Sequence, residues 1–159
     1  MTTKLNSMRL LERHHIAYTV HEYEYNDALD AQTIARMIGM PADQVFKTLV
    51  VGGTGMRPIL AMVPADAQLS LKRLAALIGV KSLDLLPRAD VERLTGLQIG
   101  GIGALALTAK GWTSYLDESA LQYPIVYVNA GKRGILLGLA PTDLVRVVGA
   151  KVGAIAERG

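Results

Sequence analysis

Two apolar runs, VFKTLVV at residues 45–51 and RPILAMV at 57–63, are separated only by the glycine-rich segment GGTGM. That spacing folds the chain back on itself as a β-hairpin, which constrains the architecture more than any other feature. The pattern recurs in the last third, where YPIVYVN and ILLGL flank the tight turn NAGKRG. Helical signals fall between the strands. Leu5, Met8 and Leu11 recur at helical spacing over residues 4–14. Asp30 is placed to cap AQTIARMI before Gly39 and Pro41, and Ser70 to cap LKRLAALI before Gly79. Pro87 suits the first position of the helix RADVERL, which Gly96 follows. AYTVHEY reads as an early strand, LQIGGIGALAL as a glycine-punctuated strand, and Pro141 and Asp143 open a last helix or strand pair through AKVGAIA. Strands and helices mix without a strict βαβ rhythm. The expectation is a single α+β domain over residues 1–159, with a mixed, mostly antiparallel sheet or barrel-like core surrounded by helices.

Within that frame, 159 residues suffice for one sizeable core. With 50% hydrophobic and 19% charged residues and a mean hydropathy of +0.27, the chain is too apolar for disorder and too interrupted by charge for a membrane span. No signal peptide is indicated at the start, and there is no cysteine. Cysteine-based nucleophiles, disulfides and thiolate metal sites are thereby excluded, and a cytoplasmic location is expected. His14, His15 and His21 are too few for a structural zinc site, so no metal and no cofactor are expected. The net charge of +3 is spread evenly, with 8 basic and 7 acidic residues in 1–80 and 9 and 7 in 81–159. It permits nucleic-acid binding and is equally the charge of a solvated surface.

Several residues stand out against their surroundings. Lys47 shares a strand face with Val45, Leu49 and Val51. Burying its ammonium is costly, so it is either an edge-strand lysine reaching water or a cation at a pocket base awaiting an oxygen. Gly100 and Gly101 interrupt an apolar run, which marks a bulge, a close ligand approach or core crowding. Tyr23 follows Thr19 and His21 on one face and sits either at a pocket mouth or on the surface. Lys132 and Arg133, on a hairpin tip between glycines, suit a phosphate or RNA backbone, or simply a solvated turn. Two nucleotide motifs fail on context. Residues 101–106, GIGALA, imitate a dinucleotide fingerprint but read as a glycine-bent strand, and Gly131-Lys132 lacks the remainder of a P-loop.

In order along the chain, Tyr23, Val45-Phe46-Lys47-Thr48-Leu49, Gly100-Gly101-Ile102 and Gly131-Lys132-Arg133-Gly134 resemble the YbaK family of Cys-tRNA(Pro) deacylases, related to the editing domain of bacterial prolyl-tRNA synthetases. The resemblance covers nearly the full length. It implies a trans-acting deacylase that hydrolyses the ester of mischarged tRNA, with tRNA(Pro) and possible docking on prolyl-tRNA synthetase as the partners. Lys47 would hold an oxygen of the aminoacyl or terminal adenosine moiety, and Gly100 and Gly101 would open a backbone-lined loop at the ester. Tyr23, Thr48, Ile102, Gly103 and Leu136 would line the substrate site, with Lys132 and Arg133 facing the tRNA. In cysteine-specific members the substrate thiol attacks its own ester, which needs no protein nucleophile. Two departures bear on specificity. Gly103-Ala104 replaces the usual Ser-Pro after Gly-Gly-Ile, and Leu136 stands where an aspartate is common. Two rivals share these residues: a catalytically weak or inactive module binding tRNA or a synthetase, and a hydrolase or binder of another small ester or nucleotide.

Overall fold

Residues 4–158 are described by the computed structural model. The strands are β1 (Thr19–Glu22), β2 (Val45–Gly52), β3 (Ile59–Pro64), β4 (Gln68–Leu69), β5 (Asp84–Leu85), β6 (Ser114–Asp117), β7 (Val126–Asn129), β8 (Ile135–Leu139), β9 (Lys151–Gly153) and β10 (Ala156–Glu157). The helices are α1 (Asn6–Arg13), α2 (Ala31–Ile38), α3 (Leu71–Ile78), α4 (Arg88–Thr95) and α5 (Pro141–Val148). Local chemistry explains where the helices start and stop. Asp30 Oδ1 accepts from the Thr33 amide at 2.8 Å and Ser70 Oγ from the Arg73 amide at 3.1 Å. Gly39, Gly79 and Gly96 end α2, α3 and α4 in the left-handed conformation that glycine adopts without penalty. Pro87 precedes α4 as its cap and is not its first helical residue.

The main sheet runs β1-β8-β7-β2-β3-β6-β9, with β5 added to the far end of β2. Both expected hairpins form, β2 with β3 and β7 with β8, and the two are joined by a parallel β2/β7 contact. Parallel pairs also join β3 to β6 and β6 to β9, so the sheet is mixed. This is the α+β architecture expected. A small second ladder pairs β4 with β10.

The largest core packs Phe46, Val50, Leu60, Met62, Leu116, Leu137 and Leu139 against α1 and α5. A second cluster, built on Val51, Ala61, Val63 and Leu74, lies beneath α3. A third sets Val45, Tyr127 and Leu136 against Ala35 of α2. Alternation along β2 therefore sends Phe46 and Val50 to one face and Val45 and Val51 to the other. Burial of these side chains, at roughly 25 cal/mol per Å² of apolar surface, holds β2 at the centre of the molecule.

The sequence expectation fails between residues 97 and 107. LQIGGIGALAL forms no strand. Gly100 takes a left-handed φ of 91° and the Gly101 amide closes a turn on the Gln98 carbonyl at 2.7 Å. Ala104–Lys110 then winds as a 3-10 helix. The second half of the run is apolar because Gly101 and Gly103 pack against the β7–β8 turn and Ala104, Leu105 and Leu107 pack into the core beside α1 and α5.

Candidate functional site

The parallel β2/β7 contact consists of Val45 with Tyr127 and Phe46 with Val128. Beyond it the strands part, because β7 ends at Asn129 while β2 continues to its pairing with β5 at Val51. The opened edge of β2 from Lys47 to Leu49 borders a cavity of about 310 Å³. Val45, Lys47 and Leu49 line it from one face of β2, and Phe46 and Thr48 from the other. Tyr23, Ile34, Gly100, Ile102, Asn129 and Leu136 complete much of the wall. A cavity of this size is at the small end of ligand sites.

Lys47 lies where β2 is locally open on one side, but β2 is an interior strand of the sheet and not an edge strand. Its strand is paired with β3 on one side and with β7 and β5 at either end of the other. The side chain is half-buried, and among the described residues no carboxylate lies within ion-pair distance of it. Burial pushes its ammonium below the usual lysine range, with Asp30 and Asp66 pulling weakly the other way from a distance. Two further polar groups at the cavity lack partners, the buried hydroxyls of Tyr23 and Thr48. Burial raises the Tyr23 hydroxyl, and the nearby Gly134 amide opposes this slightly without reaching hydrogen-bonding geometry. A protonated phenol, an alcohol and a poorly solvated ammonium thus face one apolar space. Such groups cost stability unless a ligand satisfies them.

The rim is made of backbone held at close range. Asn129 organises it. Its Nδ2 donates to the Gly100 carbonyl at 3.0 Å, and its Oδ1 accepts from the amides of Gly131 at 2.6 Å and Lys132 at 3.1 Å. A Cβ on Gly101 would lie 2.9 Å from the Arg133 amide nitrogen, and one on Gly103 would run into the Asn129 carbonyl. From behind, Ser7 of α1 donates to the Ala130 carbonyl at 2.6 Å.

The aminoacyl-tRNA editing domain family matches residues 26–147. The chain belongs to this family. It is 34% identical over 156 residues, 98% of its own length and 94% of the other's, to an Enterococcus faecalis protein named "Putative Cys-tRNA(Pro)/Cys-tRNA(Cys) deacylase EbsC". It is also 34% identical to a proline–tRNA ligase of Nitratidesulfovibrio vulgaris over 76 residues, 48% of this chain but 13% of the ligase. A solved structure described as "a putative trans-editing enzyme for prolyl tRNA synthetase" superposes with a TM-score of 0.79 at 27% identity, covering 98% of this chain and 99% of that one. The aminoacyl-tRNA deacylase class expected from the sequence agrees with these relatives, and the family implies a tRNA substrate. Among the described residues of this editing domain no helix is long and apolar enough to cross a membrane.

Of the residues singled out in the sequence, Tyr23, Lys47, Thr48, Gly100, Ile102 and Leu136 converge on the cavity. Tyr23 does so from one residue beyond β1, where its amide still donates to the Gly134 carbonyl at 3.0 Å. Gly101 and Gly103 do not line the cavity; they pack against the hairpin backbone. Lys132 is exposed at the hairpin tip, whereas Arg133 is turned inward, its Nε donating to the Ile99 carbonyl at 2.7 Å. Sequence reasoning missed Asn129, Tyr25, Asp27 and Arg88, all at the cavity. Only Asn129 carried a local signal, since an asparagine two residues before a glycine is a frequent Asx-turn.

Proposed function

We propose that this editing domain acts in trans on mischarged tRNA(Pro), hydrolysing the ester between a small amino acid and the terminal adenosine, with cysteine or another compact side chain as the group removed. The observation that carries this reading is the unpaired, half-buried Lys47 lining one small cavity together with the partnerless hydroxyls of Tyr23 and Thr48. In this reading the Lys47 ammonium holds a substrate oxygen while Tyr23 and Thr48 supply hydrogen bonds. Water adds to the ester carbonyl and the ribose oxygen leaves with a proton. An aminoacyl ester is already activated, so fixed donors and correct placement supply most of what catalysis needs. Because the Gly101 amide is committed to the Gln98 carbonyl, the backbone that meets the ester is that of Gly100 and Ile102. Leu136, Ile34 and Leu29 give the site an apolar wall, which suits a thiol or methyl side chain better than a charged one. Similarity to part of a proline–tRNA ligase supports tRNA(Pro) as the substrate and prolyl-tRNA synthetase as a docking partner.

The test is deacylation of tRNA(Pro) charged with cysteine, alanine or proline, by wild type and Lys47→Ala in parallel. The expected outcome is release of a mischarged amino acid, slowed roughly 100-fold or more in the variant, the cost of removing one preorganised donor. Cleavage no faster than without enzyme, or equal rates for the two proteins, would discard the reading in favour of a binding module.

A further inference from the structure

We propose that Arg133 is a positioning residue: its guanidinium latches the Tyr25–Asp27 segment to the Ile99–Gly100 turn at the cavity rim, and it makes no contact with RNA. Three segments meet at this side chain. Nε donates to the Ile99 carbonyl at 2.7 Å, the guanidinium lies 4.5 Å over the Tyr25 ring, and one terminal nitrogen stands 3.8 Å from Asp27. Tyr25 in turn rests directly on Gly100, where an added Cβ would come within 2.5 Å of the ring. The Tyr25 hydroxyl points at the Ile99 carbonyl and Asp27 at 3.4 and 3.3 Å, the long end of hydrogen bonding. The guanidinium therefore fixes the ring, and the ring fixes the left-handed glycine.

Chemistry favours arginine for this task. A planar fork can stack on an aromatic face and hydrogen-bond along its edge at once, which a lysine ammonium cannot do. The charge is also largely occupied, since only 25% of the side chain is exposed. The neighbouring Lys132 is exposed and forms no ion pair among the described residues. The two cations of one hairpin tip thus have different work. Tyr25, Asp27, Ile99 and Gly100 all line the cavity, so loosening the latch displaces the wall that meets the substrate.

The catalytic consequence rests on the deacylase reading, but the latch can be tested without it. Arg133→Lys retains the charge and loses the fork; Arg133→Gln loses both. With the fold checked by thermal melting, both variants are expected to lower kcat about 10- to 100-fold, the usual consequence of a small misplacement. KM and its salt dependence should stay at wild-type values, and hydrogen exchange at residues 99–102 should quicken in both. Tyr25→Leu should reproduce these effects and add little to Arg133→Lys in the double variant. A phosphate contact would behave otherwise: Lys would restore wild-type kinetics, while Gln would raise KM and reduce the salt slope by about 1. That result would overturn the latch. If wild type cleaves no ester, the deacylase reading fails separately, and exchange at residues 99–102 decides: acceleration in Arg133→Lys upholds the latch, and unchanged exchange overturns it.

Discussion

The loop joining β2 to β3 and the loop joining β7 to β8 read alike in sequence, each a cluster of glycines between apolar strands and each with a cation nearby. They are built differently. In the first, Gly55 turns with φ 71° and has nothing within 4 Å of where a Cβ would stand. In the second, a Cβ added at Gly131 (φ 98°) would run into the Ala106 methyl, and one added at Gly134 (φ 88°) would lie 2.9 Å from the Tyr23 carbonyl. Gly53 of the first loop packs against Met56 and the 82–83 segment, away from the cavity, whereas the glycines of the second hold the hairpin against Ala106 and the Tyr23 carbonyl beside it. Only the second adjoins the cavity, through Asn129 and Leu136 on the strands that it joins. A glycine cluster becomes part of a site when its missing side chains are filled by other backbone, which a sequence read locally does not show.

Substitution should expose that difference. Gly103→Ser places a Cβ against the Asn129 carbonyl, and backbone cannot move aside as a side chain can. We expect a loss of about 3 kcal/mol by denaturant unfolding, the upper range for overpacking, together with loss of turnover. An unaltered midpoint would mean that the rim yields freely. Asn129→Ala removes three hydrogen bonds to Gly100, Gly131 and Lys132. At a net ~0.5–1.5 kcal/mol each this amounts to roughly 1.5–4.5 kcal/mol, and deacylation should fall more than stability alone accounts for. Gly55→Ala, in the other loop, should cost about 1 kcal/mol for its left-handed backbone and leave deacylation unchanged. Equal catalytic damage from Gly55→Ala and Asn129→Ala would break the comparison.

The same contrast separates what could be read from sequence from what could not. Caps at Asp30 and Ser70, stops at Gly39, Gly79 and Gly96, and both hairpins follow from contacts within a few residues, and they formed as expected. Lys47 was visible because a charge on an apolar strand face violates a local rule. The segment 97–107 misled because its burial comes from α1, α5 and the β7–β8 turn, all distant in sequence, leaving an apolar run with no period to identify it. The roles of Gly101 and Gly103, and the inward turn of Arg133, depend on the same distant packing.

Lys47 also stores a measurable cost. Its folded pKa lies below the ordinary value of 10.5, so between the two values the unfolded chain binds more protons and native stability rises with pH. Lys47→Met should therefore melt above wild type at neutral pH, with the advantage shrinking as pH climbs through the lowered pKa toward 10.5. A variant that melts lower at neutral pH would show that the ammonium is better accommodated than its surroundings imply.

The smallest expected effect compares the cations of the two loops. Lys132 and Arg57 are both exposed, but Arg57 is tied to the Lys110 carbonyl at 2.8 Å and lies by the loop remote from the cavity. If the 3′ end of a tRNA enters past the second loop, its phosphates pass Lys132. Lys132→Ala should then reduce the slope of log affinity against log salt by about 1, while Arg57→Ala leaves it unchanged and neither alters stability. Equal slopes in wild type and Lys132→Ala would remove the second loop from the RNA path. A loss confined to Arg57→Ala would instead bring the tRNA in from the opposite hairpin, past a loop whose glycines touch nothing in the site.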